Sequence, residues 1–401
     1  MPLPIDFGRE QIQTPFVTAA QTQHPAPTSK ARYIMVGGFL GAGKTTAVAR
    51  LARHLTDQGL RVGLITNDQG SELVDTAMLR SHGFATEEIA GGCFCCRFNS
   101  LVEAADKLAQ GARPEVFIAE PVGSCTDLVA TVTYPLRRMY GDRFAIAPLS
   151  VLVDPVRAAR VLGLETGGQF SEKVRYIYLK QLEEADLIVI NKCDTLDAGR
   201  RTALRAALAR EFPKAELLEI SARTGEGLDP WFARVNDSEQ TARAVMTVDY
   251  QTYAEGEALL GWLNATALLA APAGFDSDAV LAALAADVQS RLRAAGAEVA
   301  HFKMTLNPDN TFGGAVAVIN LVRSDFVPEL SQSLEDPVTS GQLIINLRAE
   351  AAPQTLADAV RAALAALPQR FAGLTAALEH LEYFRPGKPV PTHRVESVES
   401  L

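Results

Sequence analysis

Cysteine is scarce in this chain, with five residues among 401. So low and odd a count argues against a disulfide framework and points to a reducing, cytoplasmic setting. No apolar run reaches the length needed to span a bilayer. The opening MPLPIDFGREQIQTPF lacks the basic-then-apolar layout of a secretory signal. Positive charge is also in short supply: 38 Lys and Arg face 47 Asp and Glu, a formal −9. Nucleic-acid binding needs a concentrated basic surface, so neither nucleic acid nor a membrane is expected as a partner. Histidines number six and are scattered, and no internal repeat is visible. The rest is ordinary for a globular protein, with 48% hydrophobic and 21% charged residues. The length allows two or three domains.

Residues 1–30, rich in Pro, Gln and Thr, read as a flexible arm. Over 31–240, short apolar runs alternate with helical stretches. This predicts an α/β P-loop NTPase domain with a mostly parallel sheet covered on both faces. The runs are YIMV (33–36), VGLIT (62–66), VFIA (116–119), LSVLV (149–153), DLIVI (186–190) and AELLEI (215–220). They lead, in order, into GGFLGAGKTT, NDQG, EPVG, DP, NKCD and SARTGEG. Polar and glycine residues thus gather at the carboxyl ends of the strands, the edge where open α/β sheets bind ligands. Residues 245–385 read instead as β-α-β-β-β-α, a smaller α+β C-terminal domain. Its strands are expected at 258–269, 299–306, 315–322 and 341–350. One helix carries Val280, Leu281, Leu284, Val288 and Leu292, capped by Asp276 or Ser277 and stopped by Gly296. Another runs through Leu356, Val360, Leu364 and Leu367. The tail, 386–401, reads as extended or disordered.

GGFLGAGKT, flanked by a strand and a helix, fits the phosphate-binding G-x-x-x-x-G-K-[ST] pattern from Gly38 to Thr45. Gly38, Gly41 and Gly43 allow close backbone approach, and the N–H groups of Ala42 through Thr46 face the phosphates. Lys44 is expected to bridge the β- and γ-phosphates, and Thr45 to hold Mg²⁺. Asn191, Lys192 and Asp194 of NKCD suit guanine. The Asp194 carboxylate can accept from both N1–H and the 2-amino group, a donor pair adenine lacks. Ser221 and Ala222 open SARTGEG, which resembles the SA-x loop that covers the base in P-loop GTPases. Glu120 is placed to hold a Mg²⁺-bound water or orient the attacking one, and Gly123 lets the next loop sense the γ-phosphate. Asp68 is a further candidate near the metal.

Three of the five cysteines crowd into GGCFCC, as Cys93, Cys95 and Cys96. Ser100 and Glu103 are spaced as a capping box starting a helix at Leu101. The thiols therefore precede a helix N-terminus, whose partial charge favours thiolate, the form that binds Zn²⁺, Co²⁺ or Cu⁺. Adjacent sulfurs cannot point one way from a strand, so a turn is expected. Three ligands leave a fourth position open, as an exchangeable site requires. Buried apolar cysteines or a redox pair are the alternatives.

In their order, GFLGAGKTT, G-C-x-C-C, E-x-x-G and N-K-x-D resemble the CobW-type GTPases, grouped with the UreG and HypB metallochaperones. The resemblance covers about 32–235. It implies a GTPase (GTP hydrolysed to GDP and phosphate) that carries a transition metal at the cysteines and delivers it to a metalloenzyme client or cofactor-pathway protein. Hydrolysis would gate release, and a homodimer is possible. By the same resemblance NDQGSELVD matches a family segment in which Asp68 and Asp75 stand for its acids. Ser71 replaces a usual glutamate, EPVG replaces E-(T/S)-T-G, and the His-rich stretch of many members is absent. His301 and His393 are read as structural. A second reading is a GTP-dependent regulatory switch or cofactor-loading protein with structural or redox-sensing cysteines. A third, an ATP-using kinase, is disfavoured by NKCD.

Overall fold

The computed structural model describes residues 30–67, 79, 83–89, 91–309 and 315–397. Eight strands form the first sheet, ordered β3-β2-β4-β1-β6-β7-β8, with β5 also pairing β1. They are β1 (Ala31–Gly38), β2 (Val62–Asn67), β3 (Ala85–Ile89), β4 (Val116–Glu120), β5 (Phe144–Ile146), β6 (Ser150–Val153), β7 (Leu187–Ile190) and β8 (Glu216–Glu219). Every pairing is parallel. The expectation rested on runs apolar at consecutive positions, and the packing explains them. Tyr33 and Met35 enter one core and Ile34 and Val36 the other, because successive side chains in a strand leave on opposite faces. Strands β3 and β5 were not anticipated. ATEEI is half polar and FAI is three residues long, so neither carries a readable period.

Helix α1 (Lys44–Asp57) follows the glycine loop, and α2 (Phe98–Gly111) follows the cysteines. The expected capping box does not form. The helix starts at Phe98, its N-cap is Arg97 without a side-chain bond, and Ser100 lies inside the first turn. A π-helical turn over Val129–Thr133 leads into α3 (Tyr134–Tyr140). Then come α4 (Pro155–Val161), α5 (Glu172–Glu184), α6 (Ala198–Glu211), α7 (Leu228–Asp237) and α8 (Tyr250–Leu259).

The second sheet is antiparallel, ordered β12-β11-β10-β13-β9-β14. Its strands are β9 (Leu260–Phe275), β10 (Glu298–Pro308), β11 (Ala317–Leu321), β12 (Glu329–Gln332), β13 (Val338–Glu350) and β14 (Thr375–Phe384). Strands β12 and β14 add to the expected order. β14, TAALEHLEYF, has no fully buried residue and breaks its apolar positions with Glu379, His380 and Glu382, so no clean alternation marks it. Helices α9 (Ser277–Ala294), N-capped by Asp276, and α10 (Pro353–Arg370) cover one face. Leu263, Ala265, Phe302, Met304, Leu343 and Ile345 point into that core.

The alternate residues Asn264, Lys303, Asn346 and Arg348 are polar and yet buried. An antiparallel sheet ordinarily turns such a face to water. Here Lys303, Asn346 and Arg348 line a cavity of about 990 Å³ whose opposite wall includes Lys44 and Thr45. Arg157 fastens the two units. Its guanidinium donates to the carbonyls of Val299, Ala300 and Val322 and lies over the rings of Phe39 and Phe170.

Candidate nucleotide and metal site

The glycine loop takes the shape its residues permit. Gly41 and Gly43 sit at φ 76° and 86°, left-handed conformations that cost a β-carbon-bearing residue about 1–2 kcal/mol. A Cβ on Gly43 would also stand 2.5 Å from the Asn191 amide. On Gly38 it would stand 2.3 Å from the Leu152 carbonyl. Glycine is thus required by close packing on Asn191 and on β6, and the loop so formed, leading into the N-terminus of α1, fits a phosphate approached by backbone N–H groups. Lys44 and Thr45 are buried behind it and Thr46 is exposed. Thr45 Oγ1 donates to Glu120 Oε1 at 2.9 Å. A hydroxyl and a carboxylate meeting there make the hard-oxygen donor set Mg²⁺ prefers. Gly123 lies against the loop, where a Cβ would meet Leu40 N at 2.9 Å.

Asn191 ties three loops together. Its amide donates to Ala42 O at 2.9 Å, while its carbonyl accepts from Lys192 N (2.8 Å) and Ala222 N (3.0 Å). Lys192 Nζ reaches Gly41 O and Asp154 Oδ2, both at 2.8 Å. Asp194 Oδ2 pairs with Arg223 at 2.8 Å, and Arg223 also pairs with Glu329 of β12. Burial opposes ionisation of Asp194, but Ser221 and Arg223 together hold its carboxyl below the usual range. Guanine recognition at Asp194 would displace Arg223. Sequence reading missed Asp154, which is buried and paired to both Lys192 and Arg323. It was visible only as the D of DP ending an apolar run.

The cysteine loop leaves the carboxyl end of β3, on the same edge as the phosphate cradle. Gly91 and Gly92 turn it at positive φ, and Asn67 at the end of β2 stitches it down through Ile89 O and Gly92 O. Cys96 N and Arg97 N both donate to Cys93 O, closing the anticipated turn. The turn brings the sulfurs together. Cys93 Sγ lies 3.0 Å from Cys95 Sγ and 2.9 Å from Cys96 Sγ. All three ligand atoms fall within 4.8 Å of one another. Hydrogen bonds from Cys125, Cys95 and Cys96 pull the Cys93 thiol far down, while Cys96 is pushed up to about 11.

The site is more closed than expected. Cys93 and Cys95 are buried and Cys96 is half-buried. The tail lies across them as an ordered strap. Val390 N donates to Cys96 Sγ at 3.3 Å, and Thr392 donates to the carbonyls of Cys95 and Cys96. His393 packs edge-on against Phe98, and Arg394 pairs with Asp127 at 2.7 Å. His301 lines the large cavity. Asp68, Ser71 and Asp75 lie outside the described residues. Among those described, no helix is long and apolar enough to cross a membrane.

Residues 32–219 match the family described as CobW/HypB/UreG, nucleotide-binding domain. A zinc chaperone named CobW from Pseudomonas aeruginosa is 29% identical over 53% of this chain and 62% of its own length. A zinc chaperone named YeiR from Escherichia coli is 29% identical over 43% of this chain and 49% of its own. The chain thus spans about half to three-fifths of the length of these curated relatives. The Zn(II)-bound YjiA GTPase from E. coli covers 84% of this chain and 99% of its own at 15% identity. Its TM-score of 0.34 is too low to carry weight.

Proposed function

We propose, on the premise that residues 32–219 form a CobW-type P-loop GTPase domain, that the protein is a GTP-hydrolysing metallochaperone. The metal, Zn²⁺ foremost and Co²⁺ next, would be cargo held at Cys93, Cys95 and Cys96 and passed to a metalloprotein client. The observation that carries this reading is the convergence of three sulfurs on the same sheet edge as the glycine loop. Soft thiolates select such ions over Mg²⁺.

Lys44 and the N–H groups of the glycine loop would bind the β- and γ-phosphates. Asp194 would select guanine, and Ser221 and Ala222 would close over the base. Mg²⁺, held by Thr45 and Glu120, would supply positive charge against the phosphate oxygens. Glu120 would also orient the attacking water, and Gly123 would let its loop sense the γ-phosphate. Hydrolysis would then release the 123–127 loop.

Gating requires the metal to bind the GTP state more tightly than the GDP state. A tenfold difference corresponds to about 1.4 kcal/mol. Zn²⁺ titration against a chromophoric competitor, in GDP and in a nonhydrolysable GTP analogue, is expected to return at least that ratio. Equal affinities would refute gating. Burial of Cys93 and Cys95 favours one other reading, a nucleotide switch with structural or redox thiols. Protein purified anaerobically without metal would support it.

A further inference from the structure

A second cavity, of about 220 Å³, lies where α4 and α5 meet the ends of β10 and β11. Its walls include Arg157 and Arg160 of α4, Arg175 of α5, Arg323 just after β11, Glu298 at the start of β10, and Phe170. That volume falls short of the ~300–1,000 Å³ usual for larger ligands and suits a small ion. Carboxylates already engage part of the cationic wall. Asp325 pairs with Arg160 and Arg323, and Asp154 pairs with Arg323. Even so, the four guanidiniums outnumber Glu298, Asp154 and Asp325.

The unmatched donors point to an anion. Nη1 of Arg157 and both Nε and Nη1 of Arg160 are buried with no hydrogen-bond partner among the described residues. Arg157 is only 4% exposed, and a buried charged donor left without an acceptor is costly. Its Nη2 is committed to three backbone carbonyls, and its guanidinium lies over the rings of Phe39 and Phe170. All guanidinium N–H groups lie in one plane, so the Nη1 edge is what Arg157 has left to offer. Two glycines let the loop between α4 and α5 pass close over the site. A Cβ on Gly167, at φ 147°, would stand 2.4 Å from Arg160 Cζ, and one on Gly168 would stand 2.4 Å from Glu298 Oε2.

We propose that this cavity binds a small oxyanion that still carries a proton, inorganic phosphate being the simplest. Arg157, Arg160 and Arg175 would donate to its oxygens, in the forked geometry guanidinium favours. Glu298 would accept from the anion's own hydroxyl. A carboxylate beside an anion repels it unless the anion brings a donor. Near neutral pH phosphate keeps at least one P–OH group and sulfate keeps none, so Glu298 selects between them. Neither the metal nor the cysteines take part. Arg160 and Arg323 also line the large cavity. Phosphate therefore has two routes in, from solution and, given GTP hydrolysis at the glycine loop, from the neighbouring cavity.

The test is calorimetric titration of the full-length protein with inorganic phosphate, a nonhydrolysable GTP analogue being present to occupy the glycine loop. One site preferring phosphate over sulfate at least tenfold is expected. Absence of phosphate binding, with only water on the guanidiniums, would overturn the proposal. Equal affinity for the two anions would overturn the role of Glu298. Arg175 is exposed, so Arg175→Gln leaves the core untouched, and it is expected to weaken phosphate at least tenfold. Unchanged affinity in that variant would place binding elsewhere and sink the assignment. Glu298→Gln is expected to bring sulfate within about threefold of phosphate, since an amide can donate where a carboxylate cannot. Single-turnover GTP cleavage, followed by quench and by a fluorescent phosphate sensor, separates the routes. A lag between cleavage and release that Arg175→Gln removes marks phosphate arriving from the nucleotide, and release in step with cleavage marks uptake from solution. Wild-type protein that binds phosphate without turning over GTP would remove the GTPase reading and leave this site standing.

Discussion

At the scale of single residues, the base pocket and the buried charges give the sharpest expectations. Asp194 is a carboxylate waiting with an arginine on it, and its exchange for an amide removes one of the two acceptors guanine needs. Asp194→Asn is expected to lower GTP turnover efficiency on the order of a hundredfold and to gain activity on xanthosine triphosphate, measured by phosphate release. Unchanged GTP turnover would remove the assignment of Asp194 to the base. Asp154 concerns stability. Burial alone would raise its carboxyl, yet Lys192 and Arg323 hold it well below the carboxylate range. A depressed folded value means the stabilisation is complete above the unfolded value of about 4 and is lost as pH falls through the folded one. Asp154→Asn strands two cations. It is expected to cost about 3 kcal/mol at pH 7, with the gap to wild type beginning to narrow below pH ~4, where Asp154 of the unfolded chain takes up a proton, and closing only below the depressed folded value. Urea unfolding at pH 7 and pH 3 is expected to show the full gap and a smaller one.

Among the elements, the strap over 386–397 and helix α8 matter most, because both grip the 123–127 loop. Tyr250 and Tyr253 of α8 contact Asp127 and Thr126, and Arg394 of the strap contacts Asp127 from the other side. An extended segment held by a few backbone bonds and one ion pair opens locally at low cost compared with global unfolding. Removing the ion pair makes opening easier still. Arg394→Ala is expected to raise the alkylation rate of Cys96 by roughly tenfold, about 1.4 kcal/mol of strap stability. Site-resolved mass spectrometry reads this directly. An unchanged rate would mean that the strap does not guard the thiols.

In the whole molecule, the two sheets share one cavity. The polar face of the antiparallel sheet roofs the nucleotide cradle, and Arg157, Arg323 and Glu329 join across the boundary. Arg157 is buried and satisfies three carbonyls of the neighbouring sheet. Arg157→Ala leaves those acceptors without that donor, at a cost of about 2–3 kcal/mol. Calorimetry is expected to resolve a separate, lower-temperature transition for the second unit. A single transition at the wild-type temperature would show that docking rests on other contacts. The Asp194–Arg223–Glu329 relay adds a consequence for binding, since guanine recognition at Asp194 would disturb a contact with the roof.

The linear sequence made the proposed nucleotide site legible. The glycine loop and the proposed base reader each occupy a few consecutive residues after a strand, the proposed Mg²⁺ ligands Thr45 and Glu120 sit at or just beyond strand ends, and parallel strands deliver their carboxyl ends to one edge. The same holds for the cysteine turn, whose three sulfurs are neighbours along the chain. Helix starts and the short or polar strands β3, β5, β12 and β14 were less legible, because periodicity needs length and contrast. Only the tertiary structure could decide what meets the cysteines. The strap reaches them across 294 residues of chain. No local pattern encodes such contacts. They follow from which strands are adjacent and which surfaces remain to be covered, and both are settled when the sheets assemble.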